Sequence, residues 1–373
     1  MTRIGAVPAA VTAASIGAAG QAALERNIVT DGATTGAANN ATIIQAAIDA
    51  CATAGGGTVQ IPKGTWLTGP LKLKTRVRLN GEGWGSVLRL VAGANAHLIS
   101  LSSIQQEQTQ VENLWLDGNA ANQGAGSWDV VNLDNTGYNN ATGLPSLGDP
   151  NHSMRRVSIV NGKRHGVYLA GAYQQSQLDS VLISDCGVNN FYLAAPDCHF
   201  ISCISRRSGL DGFMIAGNSN RLMNCKAFLS GRLDAAHGSG FNVATVDRAD
   251  LTHCEAQSNR QHGFSLNTTS TSSLVGCRAD QNGLGSAGTG WGGDGLFIYA
   301  VTNSRIDLVC SDNGSGGLKQ RWAYNSGGNC TGNIVSLVAG AGADSGAGGN
   351  GSFGSTSIGW VRWLGTNAAG AFA

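Results

Sequence analysis

Five side chains able to move protons lie close together in the chain: Asp211, Asp234, His237, His262 and Asp294. Two carboxyls placed either side of a glycosidic bond can break it, one protonating the leaving oxygen and the other acting on the sugar carbon or on a water. Asp234 and Asp294 sit in Gly- and Ala-rich stretches, "SGRLDAAHGSGF" and "QNGLGSAGTGWGGDGLF". Elimination asks instead for a base beside a uronide and a cation to hold the enolate, roles open to His237, Arg232 and Arg260. Which of these chemistries is available depends on the elements that carry the residues.

Those elements repeat. A Gly-Phe step recurs at Gly212-Phe213, Gly240-Phe241 and Gly263-Phe264, with looser versions at Gly166-Val167, Asn190-Phe191, Gly295-Leu296 and Gly317-Leu318. The intervals are 24, 22, 28, 23, 32 and 22 residues, a period of about 22 with two insertions. Each unit holds short alternating apolar and polar runs between Gly, Asn and Ser turns, with no amphipathic helix. Such units stack as the coils of an all-β, right-handed parallel β-helix, in which equivalent side chains lie about 4.8 Å apart and form columns. Val167, Phe191, Phe213, Phe241, Phe264, Leu296 and Leu318 are expected to form one inward column, and Cys203, Cys225, Cys254, Cys277 and Cys310 another. A row of thiols on one wall packs as small hydrophobes and does not offer zinc a tetrahedron, so no metal site is expected.

The same register puts Tyr168, Tyr192, Met214, Asn242, Ser265, Phe297 and Lys319 outward on one strand face. The insertions rise beside this face, carrying Arg232, Asp234, His237, Trp291 and Asp294, with Arg260 and His262 nearby. A long shallow face of aromatic and amide side chains suits a sugar chain, with Tyr168, Tyr192, Asn242, Phe297, Trp291, Arg232, Arg260 and Lys319 as binding residues. Asp234 and Asp294 are two coils apart, roughly 10 Å, near the upper end of the carboxyl separation used by inverting glycosidases. The residues just before each Gly, namely His165, Asn189, Asp211, Ser239, His262 and Asp294, equally read as turn formers whose side chains bond local backbone.

Composition narrows the partners. Gly makes up 55 of 373 residues and charged residues only 13%, a balance that suits tight turns and a long core. A net charge of +1 gives no electrostatic case for nucleic acid or an anionic membrane. No apolar run reaches the roughly 20 residues of a membrane-spanning helix. "GLGSAGTG" follows no βαβ pattern, so no dinucleotide or other cofactor is expected. The nine cysteines read as core thiols without a disulfide framework. Residues 1–27 read as a linker or attachment segment, 28–335 as the solenoid, and 336–373 as a Gly/Ala-rich linker with a final strand, "IGWVRWLG", for capping or self-association.

From Asn40 the chain opens a helix with Ile44, Ala47, Ile48 and Cys51 on one face, ended by the Gly triplet at 55–57, and laid over the open end of the solenoid. The run through "GGGTVQIPKGTW" and "VRLNGEG" to Gly83 resembles the opening of the pectate-lyase-like parallel β-helix family, common in bacteriophage tailspikes and shared with polygalacturonases. "TWLTGPLKLKTRVRL" is similar to a polygalacturonase start. The Asn-Thr-Asp, Asp-Asp, Gly-His-Gly and Arg-Ile-Lys motifs of that enzyme are missing, with only partial echoes in "RHG" at 164–166 and "QHG" at 261–263, so no catalytic residue carries over. The resemblance implies a homotrimeric, tail-associated protein, attached to the virion through its N-terminus, that binds and depolymerises a cell-envelope polysaccharide as hydrolase or lyase. A non-enzymatic receptor-binding tail protein and a secreted microbial polysaccharide lyase or hydrolase are the alternatives.

Overall fold

Each coil begins with a short strand, turns sharply at one left-handed residue, continues as a second strand, and reaches a third strand after a longer corner. In one coil these are Gln177–Asp179, Leu182–Ser184 and Phe191–Leu193. The computed structural model describes residues 24–138, 150–172, 174–233, 237–284, 293–311, 323–339, 351–352 and 360–363, the last two segments and Ala339 as backbone. The sharp corner is marked coil after coil by Asn113, Arg156, Ser180, Ser202, Asn224, His253 and Gly276, with φ between 51° and 62°. This conformation costs a residue with a Cβ about 1 kcal/mol, so the stacked strands must hold it.

Each strand pairs in parallel with its equivalent one coil on, as in Phe191↔Phe213, Phe213↔Phe241 and Phe241↔Phe264. The third strands form an eleven-stranded sheet from Leu71–Leu73 to Gly351–Ser352, and the first and second strands make up the other faces. Crossovers between parallel strands make the solenoid right-handed. The strand Trp360–Trp363 pairs with Ile334–Leu337, so the coils run beyond residue 336.

The expected inward column is present, and its four phenylalanine rings stack face to face. Centroids are 4.3, 4.8 and 5.0 Å apart with planes within 7° of parallel. Two positions differ from expectation. Leu318 lies outside the described residues, and Tyr324, paired with Leu296, holds the next inward place. Lys319 lies outside the described residues, and Asn325 holds the outward position expected for it. The buried Tyr324 ring continues the column.

In the cysteine row, Cys203, Cys225, Cys254 and Cys277 do stack, preceded by Leu114, Val157 and Val181 at the same corner. Cys310 leaves the row: the bulge between Leu274 and Cys277 places Leu308 opposite Cys277 and Cys310 opposite Ala279. All nine cysteines are buried free thiols.

The helix Ala41–Thr53 buries Ile44, Ala47, Ile48 and Cys51, the expected face. Gly56, at φ 133°, turns the chain where a Cβ would strike Arg76, and a Cβ on Gly57 would lie 2.3 Å from the Leu24 carbonyl. These contacts seat the helix against the first coils.

Candidate functional site

The outward positions of the eleven-stranded sheet form one continuous column: Lys72, Ser100, Asn132, Tyr168, Tyr192, Met214, Asn242, Ser265, Phe297 and Asn325. At one strand spacing per coil it runs roughly 40 Å. Tyr168, Tyr192, Asn242 and Phe297 are where the sequence puts them. Trp291 and Asp234 lie outside the described residues.

The polar residues at the corner before this sheet form a ladder. The Asp129 amide N–H donates to His97 Nδ1 at 2.9 Å, that of His165 to Asp129 Oδ1 at 3.2 Å, and that of Asn189 to His165 Nδ1 at 3.3 Å. Asp211 then donates to Asn189 Oδ1 and Ser239 to Asp211 Oδ1, both at 2.9 Å, and Asp294 to His262 Nδ1 at 3.1 Å. The turn-former reading therefore holds in kind, but the bonds reach the next coil rather than local backbone. Each imidazole uses Nδ1 as acceptor, which leaves its proton on Nε2 as a donor.

This ladder places the predicted acids. Asp211 is buried, and its second oxygen accepts from Asn242 Nδ2 at 3.0 Å. Burial pushes its carboxyl above the ordinary range, against the lowering effect of those two donors. Asp294 is fully buried, accepts from Asn325 Nδ2 at 3.0 Å and lies 3.4 Å from His262 Nδ1. His262 stacks on Phe297 at 4.8 Å. His237 is exposed. Arg232 and Arg260 come together on the corner, away from the Tyr168 end of the column.

The densest polar cluster lies where the sequence gave little warning. Asp129, fully buried, accepts from Arg164 Nε at 2.7 Å and Nη2 at 2.5 Å, and from Asn132 Nδ2 at 2.8 Å. The Arg164 guanidinium then lies over the Tyr168 ring, 4.7 Å from its centroid. Tyr168 stacks on Tyr192 at 5.3 Å, and His165 contacts both rings. Lys72 Nζ donates to Ser100 Oγ at 2.8 Å, two rungs before Asn132. Burial holds His165 down at about 4 and, as the leading cause, raises the Tyr168 phenol; Asp134 and Tyr192 add to the latter. At neutral pH the cluster thus presents N–H and O–H donors and two cations. The carboxylate closest along the strand is Asp134, half-buried and two residues beyond Asn132, diagonal to Tyr168 at roughly 8 Å between Cα atoms.

Sequence reasoning missed Lys72, His97, Asp129 and Asp134 as members of this site, and met Arg164 only within the "RHG" echo. Long loops separate the first three third-sheet strands, so the 22-residue period is invisible there. The available signal was polar residues before a short alternating run, as in "HLISL" and "DVVNLD".

Among solved structures, the enzymatically active domain of tailspike protein 2 from bacteriophage CBA120 superposes with a TM-score of 0.71 at 14% identity, over 84% of this chain and 47% of that one. The A-module of mannuronan C-5 epimerase AlgE6 from Azotobacter vinelandii gives 0.59 at 16% identity, over 92% and 99%. These likenesses show the fold. In sequence, mannuronan C5-epimerases AlgE1 and AlgE6 of the same organism are 38% identical over 100 residues and 34% over 144, or 23% and 35% of this chain. The chain spans only 7% and 16% of the length of those two relatives. Residues 25–224 match the family described as rhamnogalacturonase A/epimerase, pectate lyase-like; that stretch is more than half of the chain and contains the Asp129–Tyr168 cluster, and the protein belongs to this family.

Proposed function

We propose that this protein binds a polysaccharide along the Lys72–Asn325 column and modifies it at the cluster around Tyr168. The observation that carries the reading is the meeting of an aromatic platform, Tyr168 on Tyr192, with the donors Arg164, His165, His97 and Lys72. Aromatic faces take the apolar faces of sugar rings, and the donors take hydroxyls and a carboxylate.

The chemistry this favours is proton abstraction beside a sugar carboxylate. Cations and neutral donors hold the carboxylate and the enolate that forms when the C–H proton leaves. Expulsion of the glycosidic oxygen from that enolate cleaves the chain; return of a proton to the opposite face inverts the carbon. Asp134 is the proposed base and the Tyr168 phenol the proposed acid. Hydrolysis by two carboxyls has less support, because Asp129, Asp211 and Asp294 are buried and already accept hydrogen bonds. The sequence candidates Asp234 and His237 remain proposed participants, His237 from an exposed position.

An extracellular setting is proposed, on a virion tail as a homotrimer attached through the N-terminus or as a secreted enzyme; the fold is shared by a bacteriophage tailspike domain and an epimerase module. The test is incubation with neutral and uronate-containing polysaccharides in D2O. Expected are unsaturated chain ends, or deuterium at the sugar carbon without cleavage, both lost in Tyr168→Phe. New reducing ends with neither signature would assign hydrolysis and overturn the proposed chemistry. Binding without any change would leave an adhesive module.

A further inference from the structure

The corner between the second and third strands carries a positively charged pocket apart from the Tyr168 cluster. Its volume is about 400 Å³, and Arg207, Arg232 and Arg260 line it together with Leu229, Leu284 and Ser230. The three arginines belong to the coils whose third strands begin at Phe213, Phe241 and Phe264. That is two to four coils from Tyr168, roughly 10 to 19 Å along the axis.

Charge is unbalanced here. Arg207 shares Nε with Asp185 at 3.0 Å, but Arg232 and Arg260 form no ion pair with any described residue. Among the described residues, no carboxylate lines the pocket. Two guanidinium groups thus gather in one place with no described carboxylate paired to either. The floor adds an independent feature: Ser230 Oγ is buried with no hydrogen-bond partner among the described residues. Leu229 and Leu284, both partly exposed, flank the arginines with apolar surface.

We propose that this pocket is an accessory site for the oxyanion of an anionic polysaccharide, a carboxylate or a sulfate or phosphate ester. Planar guanidinium forks match such groups in pairs of parallel hydrogen bonds, and the leucines accept the apolar face of the sugar that bears them. The nearby column, Met214, Asn242 and Ser265, carries no charge, so the arginines supply the electrostatic grip on this half of the molecule. The site's existence does not depend on the proposed chemistry; its role in guiding a polymer toward Tyr168 does.

The experiment is binding, without turnover, of carboxylated, sulfated, phosphorylated and neutral oligosaccharides of matched length, by calorimetry at two salt concentrations. Wild type is compared with Arg232→Gln/Arg260→Gln and with Tyr192→Ala. Melting temperatures show that each variant is folded, as expected for exposed arginines. Expected is a tenfold or greater loss of affinity for at least one anionic class in the arginine variant, a salt dependence that falls with it, and no change for the neutral oligosaccharide. The class that loses most identifies the oxyanion. Equal affinity of wild type and arginine variant for every anionic class overturns the proposal. Loss in Tyr192→Ala but not in the arginine variant also overturns it, while leaving the groove reading intact. Anion binding that depends on the arginines in a protein that modifies no polymer would sustain the pocket and remove the proposed chemistry.

Discussion

Asp129 grips Arg164 through both carboxylate oxygens, at 2.7 and 2.5 Å, and so aims the guanidinium over the Tyr168 ring. The same carboxylate accepts the His165 amide N–H, tying the cluster to the backbone ladder. Asp129→Ala removes the counter-charge and leaves that buried N–H without its acceptor, at a cost of about 3 kcal/mol. Asp129→Asn keeps an acceptor oxygen and is expected to cost about half as much. Urea unfolding monitored by circular dichroism measures both, and wild-type midpoints in both variants would show that the pair is structurally idle.

Two histidines give the fold an acid limit. Burial lowers His165 to about 4 and His152 to about 3, from an ordinary value of 6.5. In the unfolded chain both bind protons below pH 6.5, whereas in the fold they stay neutral until far lower. Unfolding therefore takes up protons in this window, and stability falls as pH drops from 6.5 toward 4. The limiting slope is about 1.4 kcal/mol per pH unit for each ring. Asp211, whose carboxyl is raised by burial, works in the opposite sense and offsets part of the loss at the acid end. His165→Asn should flatten the slope between pH 6.5 and 4 in a series of melts; an unchanged slope would mean that His165 takes a proton in the fold.

Tyr168 and Tyr192 separate binding from chemistry. Removing one stacking face in Tyr192→Ala is expected to weaken polymer binding about tenfold, some 1.4 kcal/mol. Tyr168→Phe keeps its ring on Tyr192 and under Arg164 but loses the phenol. Affinity should stay within about twofold while turnover falls about a hundredfold, the usual scale of a lost proton donor. Parallel calorimetry and kinetics decide this, and equal losses in binding and turnover for Tyr168→Phe would deny the phenol a part in proton transfer.

Much of the solenoid was legible because its period is written in residue types. Gly before Phe marks the third strand: at Gly240 and Gly263 a Cβ would come within 3 Å of neighbouring atoms, and the phenylalanines need one another's faces. The helix was legible from its apolar face. The cluster was hidden for a physical reason. Its members come from third strands separated by loops of unequal length, so only backbone pairing places Lys72, Asn132 and Tyr168 in one column. Asp211 and Asp294 read equally as catalytic acids and as turn formers because a carboxylate that accepts an amide from the next coil has no sequence signature distinct from one facing solvent. Cys310 was misplaced because one bulge, at Gly276, shifts register without altering the hydrophobic pattern.

That thiol row yields the last prediction. Adjacent cysteines in it sit one coil apart, near the Cα separation a disulfide requires, yet all nine thiols are free. The reactive species is the thiolate: burial raises the thiols of Cys203 and Cys254, whereas hydrogen bonds with neighbouring thiols lower Cys225 and Cys277, so within the row it is close packing that keeps reagents out. Outside the row, burial pushes the thiols of Cys186 and Cys198 up to about 12. Their thiolate fraction at neutral pH is then about a thousandfold lower than for an exposed cysteine, before any steric barrier is counted. Native protein should therefore give almost no reaction with an aromatic disulfide reagent over minutes. Unfolding in denaturant without reductant should release nine equivalents, the number of cysteines in the chain. Fewer than nine would reveal a bond formed along the row, and rapid labelling of the native protein would mean that the coils around Cys203 to Cys277 open far more readily than their packing implies.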